Sequence, residues 1–216
     1  MSEITTGGCQ IEKEHSENPH WGDFDYTSIL SCKVVRWICP PEGYFNCNTD
    51  GSCRTQLQLS SKAFSVRNSN GDLVYAETES VMLCSALEAE VRTFKEGLQY
   101  CVSHNLLPLI METESLILKK VIEEKWEIPW VISADVRCIK NKLKNKDMVV
   151  NQIFRAGNNV VDCLANHVFS FVGTTKIQFE SNNELPAQEK KLLQTDKQGM
   201  PNLRIRKYQN GDFNNH

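Results

Sequence analysis

The chain lacks any run approaching the ~18 consecutive apolar residues that a membrane-spanning helix requires. Its opening, Met1 to His15, also lacks the apolar stretch of a secretory leader. Neither membrane insertion nor secretion is expected, which leaves nucleus or cytoplasm. No Cys-x-x-Cys pair occurs among the nine cysteines. A zinc site from Cys32, Cys39, Cys47 and Cys53 would need spacings of seven, eight and six, which match no usual ligand pattern. The odd count and the apolar surroundings of most of these residues fit small buried hydrophobes in an intracellular protein. Internal repeats are missing too, and so is a strong overall charge: the 216 residues carry a formal net charge of −3. What is present is enough apolar material for a core, 40% of the residues. The length fits one domain with extra chain around it, and a monomer is expected.

Residues 1–33 are polar, acidic and aperiodic, and are expected to form a mostly flexible leader. After Lys176 apolar residues become sparse, so 176–216 read as a C-terminal tail, docked through Leu192, Leu193 and the Leu203-Arg204-Ile205-Arg206 segment. The globular unit is expected over 34–175. Within it, Tyr44 to Asp50 alternates, with Phe45, Cys47 and Thr49 on one face. Residues 63–67 and 73–76 flank Asn68-Ser69-Asn70-Gly71-Asp72, a tight-turn sequence, and read as a hairpin. Leu87, Val91, Phe94, Leu98 and Cys101 are spaced four, three, four and three, which predicts an amphipathic helix over 85–104. Further elements are a strand at 107–112, helices at 115–125 and 129–142, a strand at 148–154 and a helix at 158–171. The order β-β-β-α-β-α-α-β-α predicts an α/β fold: a mixed five-stranded sheet, antiparallel at first, with helices on both faces.

Four acids sit at the ends of these elements. Asp50 ends the first strand of the unit, and Glu90 borders the apolar stripe of the long helix. Glu114 follows the fourth strand, and Asp162 lies in the first turn of the last helix. In a compact α/β unit such ends often share one rim. Carboxylates gathered there repel one another unless divalent cations lie between them, which is the chemistry of a two-metal phosphodiesterase site. The plainer reading stands beside this: an Asp in a first helical turn is a common dipole partner, and Glu90 could be an ordinary surface residue.

Seven motifs occur in order: Val35-Arg36-Trp37; Pro40-Pro41 with Gly43; Asn46 with Asn48-Thr49-Asp50-Gly51-Ser52; Arg67 to Asp72; Ala89-Glu90; Met111-Glu112-Thr113-Glu114-Ser115; and Arg155 with Gly157-Asn158, Val160-Val161-Asp162 and Leu164-Ala165. Together they resemble the plant RNase H-like domain related to the ribonuclease H of non-LTR retrotransposons, over about residues 34–175. The stretch after Glu184 resembles tails of that group. The resemblance implies an RNase H-like fold. It also implies an endonuclease that cuts the RNA strand of an RNA–DNA hybrid by two-metal hydrolysis with Mg²⁺, for which Mn²⁺ can substitute. The family's catalytic and metal-binding acids fall on Asp50, Glu90, Glu114 and Asp162.

Three departures bear on activity. Glu114 stands where the family usually has Asp, and its extra methylene moves the carboxylate by about one carbon–carbon bond. Misplacement of ~1 Å can cost about 10²-fold in rate. Residues 53–59 replace a glycine-rich loop, so Cβ atoms bar close approach to a phosphate or ribose. Gln152 replaces a histidine and cannot titrate near neutral pH. Arg155 remains, as a phosphate contact or as partner to a nearby acid. Lys140, Lys142 and Lys144 alternate after Arg137, with Trp126 and Trp130 upstream. They could meet nucleic-acid phosphates, or simply complement a helix end and solubilise a loop. The expected function is therefore a nucleic-acid-binding RNase H-like enzyme. Its alternative is a catalytically silent nucleic-acid-binding module derived from a retroelement, and a weaker one is an interaction scaffold.

Overall fold

The computed structural model describes residues 4–7, 29–144 and 147–208. Along the chain lie β1 (Ile4–Gly7), β2 (Ile29–Val35), β3 (Phe45–Arg54), β4 (Leu59–Arg67), β5 (Leu73–Met82), α1 (Ala86–Ser103), β6 (Leu109–Thr113) and α2 (Leu116–Ile122). They are followed by α3 (Ser133–Leu143), β7 (Met148–Gln152), α4 (Asn159–His167), β8 (Lys176–Phe179), α5 (Ala187–Lys197) and β9 (Asn202–Tyr208).

The alternation of β3 and the turn after β4 build the centre of the main sheet. Asn68 Oδ1 accepts from the N–H groups of Asn70 and Asp72, each at 3.0 Å, and Gly71 takes the left-handed φ of +74° that closes the turn. The antiparallel meander β3-β4-β5 follows from it. Strands β6 and β7 then add in parallel beside β3, giving the order β7-β6-β3-β4-β5-β8. This is the expected mixed α/β sheet, widened by a sixth strand: β8, from the stretch read as tail, pairs antiparallel with β5. Four residues are too short a run for alternation to reveal.

Helices cover both faces. On one face, Val91, Phe94, Leu98 and Cys101 of α1 meet Cys47, Phe64, Val66 and Tyr75, with Val136 and Ile139 of α3 in the same cluster. The predicted spacing of α1 is what delivers these residues inward. Its start is fixed by a capping box, in which Ser85 Oγ accepts from the Glu88 N–H and Glu88 accepts from the Ser85 N–H. On the other face, Val161, Leu164 and Ala165 of α4 pack on Ala63 and Ala76, joined by Leu193 of α5.

The expected boundary between leader and domain, at 33/34, falls inside β2. This strand pairs antiparallel with β1 and with β9, forming a second, three-stranded sheet. Residues 1–3, 8–28 and 209–216 of the expected leader and tail lie outside the described residues. Helix α5 is tied down by a buried ion pair: Arg67 Nη1 stands 2.8 Å from Asp196 Oδ2, with the two side chains 1% and 2% exposed. Arg67 also donates to Asn48 at 2.6 Å and lies 3.3 Å from the Trp37 ring. Asn48 in turn donates to buried Glu112 at 2.8 Å. This polar chain runs from α5 through β4 and β3 to β6, the last two being strands that end at the candidate site.

Candidate active site

Side-chain alternation along β3 sends Cys47 to the α1 face and Asn48 and Asp50 to the other. Asp50 is buried, at 6% exposure. The chain then passes through Gly51, and the reason for glycine there is contact. A Cβ at this position would lie 2.4 Å from both the Ala89 carbonyl carbon and the Glu90 nitrogen. The first turns of α1 therefore press directly on the β3 backbone, bringing Glu90 beside Asp50. The Gly51 backbone partly counters the upward shift of both carboxyls. One Glu90 oxygen, Oε2, is buried with no hydrogen-bond partner.

Glu114 follows β6, whose parallel pairing with β3 aligns Thr113 with Thr49. Buried Asn158, just before α4, donates from Nδ2 to both the Thr49 carbonyl and Glu114 Oε1, at 3.1 Å each. It thus ties the start of α4 to both acid-bearing strands. Asp162, one turn into α4, forms an ion pair with Arg155, whose side chain is 71% exposed.

Burial and neighbouring carboxylates raise three of the acids, Asp50, Glu90 and Glu114. Burial pushes the Asp50 carboxyl up to about 7, with repulsion from Glu114 and Asp162 adding to it. Glu90 is driven well above the usual carboxylate range, first by burial and then by Asp50 and Glu114. Burial raises Glu114 as well, while Asn158 and Arg155 counter the rise and Asp162 adds to it. Arg155 opposes the upward shift of all three. The four sequence-selected acids thus lie within electrostatic reach of Asp50 or of one another, and among the described residues Arg155 acts on three of them, but no three of the four bring oxygens within 4.8 Å of one another.

A tighter acidic trio lies elsewhere. Among the described residues, Glu77, Glu79 and Glu96 place oxygens within 4.8 Å of one another. Lys62 stands among them, 3.0 Å from Glu79 and 2.7 Å from Glu96, and Lys176 lies 2.8 Å from Glu77. Its charge is already met by cations, and it is a cross-link between β4, β5, β8 and α1.

The lysines separate. Lys140 and Lys144 line a groove of about 460 Å³ between α2 and α3 together with Arg137 and Asn141, while Lys142 is not in its lining. Lys140 lies 3.2 Å from Glu124. Trp130 is 86% exposed and Trp126 about half exposed. Sequence reasoning named neither Gly51 nor Asn158 as a site residue. The signal for Asn158 was its place one residue before a helix whose first turn carries an acid. The signal for Gly51 was its position directly after one.

The chain matches the model of the reverse transcriptase-like family over residues 48–168, a span that holds all four acids. It is 25% identical, over 169 residues, to a protein of Arabidopsis thaliana named for ribonuclease H. That match covers 77% of this chain and 26% of the relative, so the chain spans about a quarter of the relative's length. The N-terminal RNase H domain of a Mycobacterium tuberculosis protein, solved as a fusion with maltose binding protein, superposes with a TM-score of 0.54 at 15% identity, covering 59% of this chain and 94% of that one. RNase H1 of Halobacterium salinarum gives 0.51 at 16% identity, covering 59% and 98%. An RNase H1 named LC11, solved in complex with an RNA/DNA hybrid, gives 0.52 at 14%, covering 57% and 94%. A family match over more than half the chain, on a fold shared with these structures, makes this protein a member of the reverse transcriptase-like family with an RNase H-like domain.

Proposed function

We propose that the protein is a nucleic-acid-binding, metal-dependent endonuclease that hydrolyses the RNA strand of RNA–DNA hybrids, with Asp50, Glu90, Glu114 and Asp162 as the residues that hold its cations. One observation carries this reading. Neighbouring carboxylates act on Asp50, Glu90 and Glu114, and one of their oxygens, Glu90 Oε2, is buried without a donor. A buried carboxyl oxygen left without a donor is costly. A divalent cation offsets both its burial and the mutual repulsion. The donor set consists of hard carboxylate oxygens, which suits Mg²⁺ and Mn²⁺. Such cations supply Lewis acidity, favouring ionised water and offsetting charge on a phosphate.

This chain's own residues hold the arrangement in place. Asp50 is fixed in a strand paired on both sides, and Glu90 is fixed by the contact of α1 with Gly51. Asn158 occupies Glu114 Oε1 and so orients the other oxygen. Arg155, on the solvent side, is placed to meet a backbone phosphate. The groove lined by Arg137, Lys140 and Lys144 offers further cationic contacts, and Lys142 lies on the same helix. The test is cleavage of an RNA–DNA hybrid by the full chain in Mg²⁺ or Mn²⁺. Cleavage lost in Asp50→Asn is expected; cleavage at an equal rate in that variant overturns the site assignment.

A second reading, a silent nucleic-acid-binding module, is favoured by Arg155 seated on Asp162 and by Glu114 and Gln152 in place of the family's usual residues. It gives hybrid binding without cutting, and Glu114→Asp then restores cleavage.

A further inference from the structure

Arg155 is the cation that the fold itself supplies to the acidic cluster. Its guanidinium pairs with Asp162, and its charge also reaches Glu114 and Asp50. The side chain is largely in water, yet the backbone that carries it is held from three sides. Phe154 lies under the Arg204 guanidinium of β9, 4.1 Å from its ring centroid. Gly157 packs so closely on Val35 of β2 that an added Cβ would stand 3.0 Å from Val35 Cγ1. Buried Asn158 anchors the next residue to β3 and to Glu114. A fixed base with a solvent-exposed arm is the geometry of a displaceable counter-ion. Helix α4 contributes nothing else positive near Asp162: His167, the basic residue of its last turn, faces Glu189 at 3.7 Å.

Resting on the cation-site reading above, we propose that Arg155 is the built-in competitor of the divalent cation, so that cation entry displaces its guanidinium from Asp162 and the residue sets the affinity and selectivity of the site. An arginine carries a single charge on a broad planar fork, whereas a divalent cation concentrates two charges on a small hard ion. Arg155 is largely in water and Asp162 about a quarter exposed, so solvent screens the pair and the competition is modest. Such pairs are worth up to about 1 kcal/mol, or about fivefold in binding.

The experiment is Mn²⁺ titration of the full chain, followed by calorimetry and by the electron paramagnetic resonance signal of free Mn²⁺, with no nucleic acid present. Arg155→Gln is expected to bind Mn²⁺ about fivefold more tightly than the original chain. Arg155→Lys, which keeps the charge, is expected to stay near the original affinity. Thermal melts of both variants at the original temperature show that the fold is intact, as the exposure of this side chain leads one to expect. If Arg155→Gln binds no more tightly while Asp50→Asn loses Mn²⁺, the competitor role is overturned and the cation site stands. If neither the original chain nor Asp50→Asn binds Mn²⁺, the cation site itself fails and the competitor role with it.

Discussion

Gly51→Ala is the substitution that tests most directly how the acids are brought together. The added methyl would meet two α1 backbone atoms at 2.4 Å, where ordinary contact begins at 3.4 Å. The deficit, 3.4 minus 2.4, is 1.0 Å, and no side chain can rotate to relieve it because both atoms belong to the main chain. Either α1 backs away by about 1 Å at its first turn, or β3 bows. Overpacking of this kind costs typically about 1–3 kcal/mol. For a chain of this size, that lowers the melting temperature by roughly 2–12 °C. The consequence for the site exceeds the consequence for stability, because Glu90 shifts with the helix away from Asp50. A displacement of ~1 Å in such a constellation costs about 10²-fold in turnover. The assays are a thermal melt and a Mn²⁺ titration, with Gly97→Ala as control. There the new methyl meets the Cys47 sulfur at 3.0 Å and the Phe64 side chain at 3.3 Å, groups that can yield. Gly97→Ala should lower stability modestly and leave cation affinity intact. A Gly51→Ala protein that melts and binds Mn²⁺ like the original would refute the contact argument.

Three further outcomes are expected. The Asp50 carboxyl is raised from 3.8 to about 7, so the native state holds a proton that the unfolded chain has already released between those values, and stability falls as pH rises through that window. Asp50→Asn removes a penalty of at most ~4 kcal/mol above pH 7, so melts should show it more stable than the original at pH 8, with the difference vanishing towards pH 4. Asp196→Ala leaves Arg67 buried without its partner, at a cost of about 3–5 kcal/mol; a urea titration should find that loss, and hydrogen exchange should find α5 released first. Nucleic-acid affinity measured against salt should lose about one unit of log–log slope for each phosphate contact removed. Arg137→Ala and Lys144→Ala should each reduce it more than Lys142→Ala does, and equal effects would disconnect the α2–α3 groove from binding.

The sequence made some of this legible and hid the rest for physical reasons. The stripe from Leu87 to Cys101 and the Asn68–Asp72 turn are local devices whose residues identify themselves by spacing, and the structure carries both. The acids could be picked out as carboxylates at or just past strand ends and in the first turns of helices, positions they share with Glu88, Asp135 and Glu189. What spacing cannot reveal is pairing across long stretches of chain. The Arg67–Asp196 bond joins residues 129 apart, and β8 and β9 are short runs that gain meaning only from the strands they meet. A tail reading follows naturally from sparse apolar residues, because α5 is held as much by a buried ion pair as by its leucines. The Arg155–Asp162 contact was one of two options open from sequence, and spacing alone does not choose between them.

The ribbon of β2 and β9 carries a consequence for the order in which the molecule assembles. Val35 pairs with Asn202, so closing it means joining points 167 positions apart, whereas β3, β4 and β5 zip together through short hairpins. Loop-closure entropy places such a contact last, after the intervening chain has already compacted. The strands bearing the acids are therefore in place before the ribbon that steadies residues 153–157 exists. By the same reasoning the amides of this ribbon are expected to exchange with solvent before those of β3 and β4.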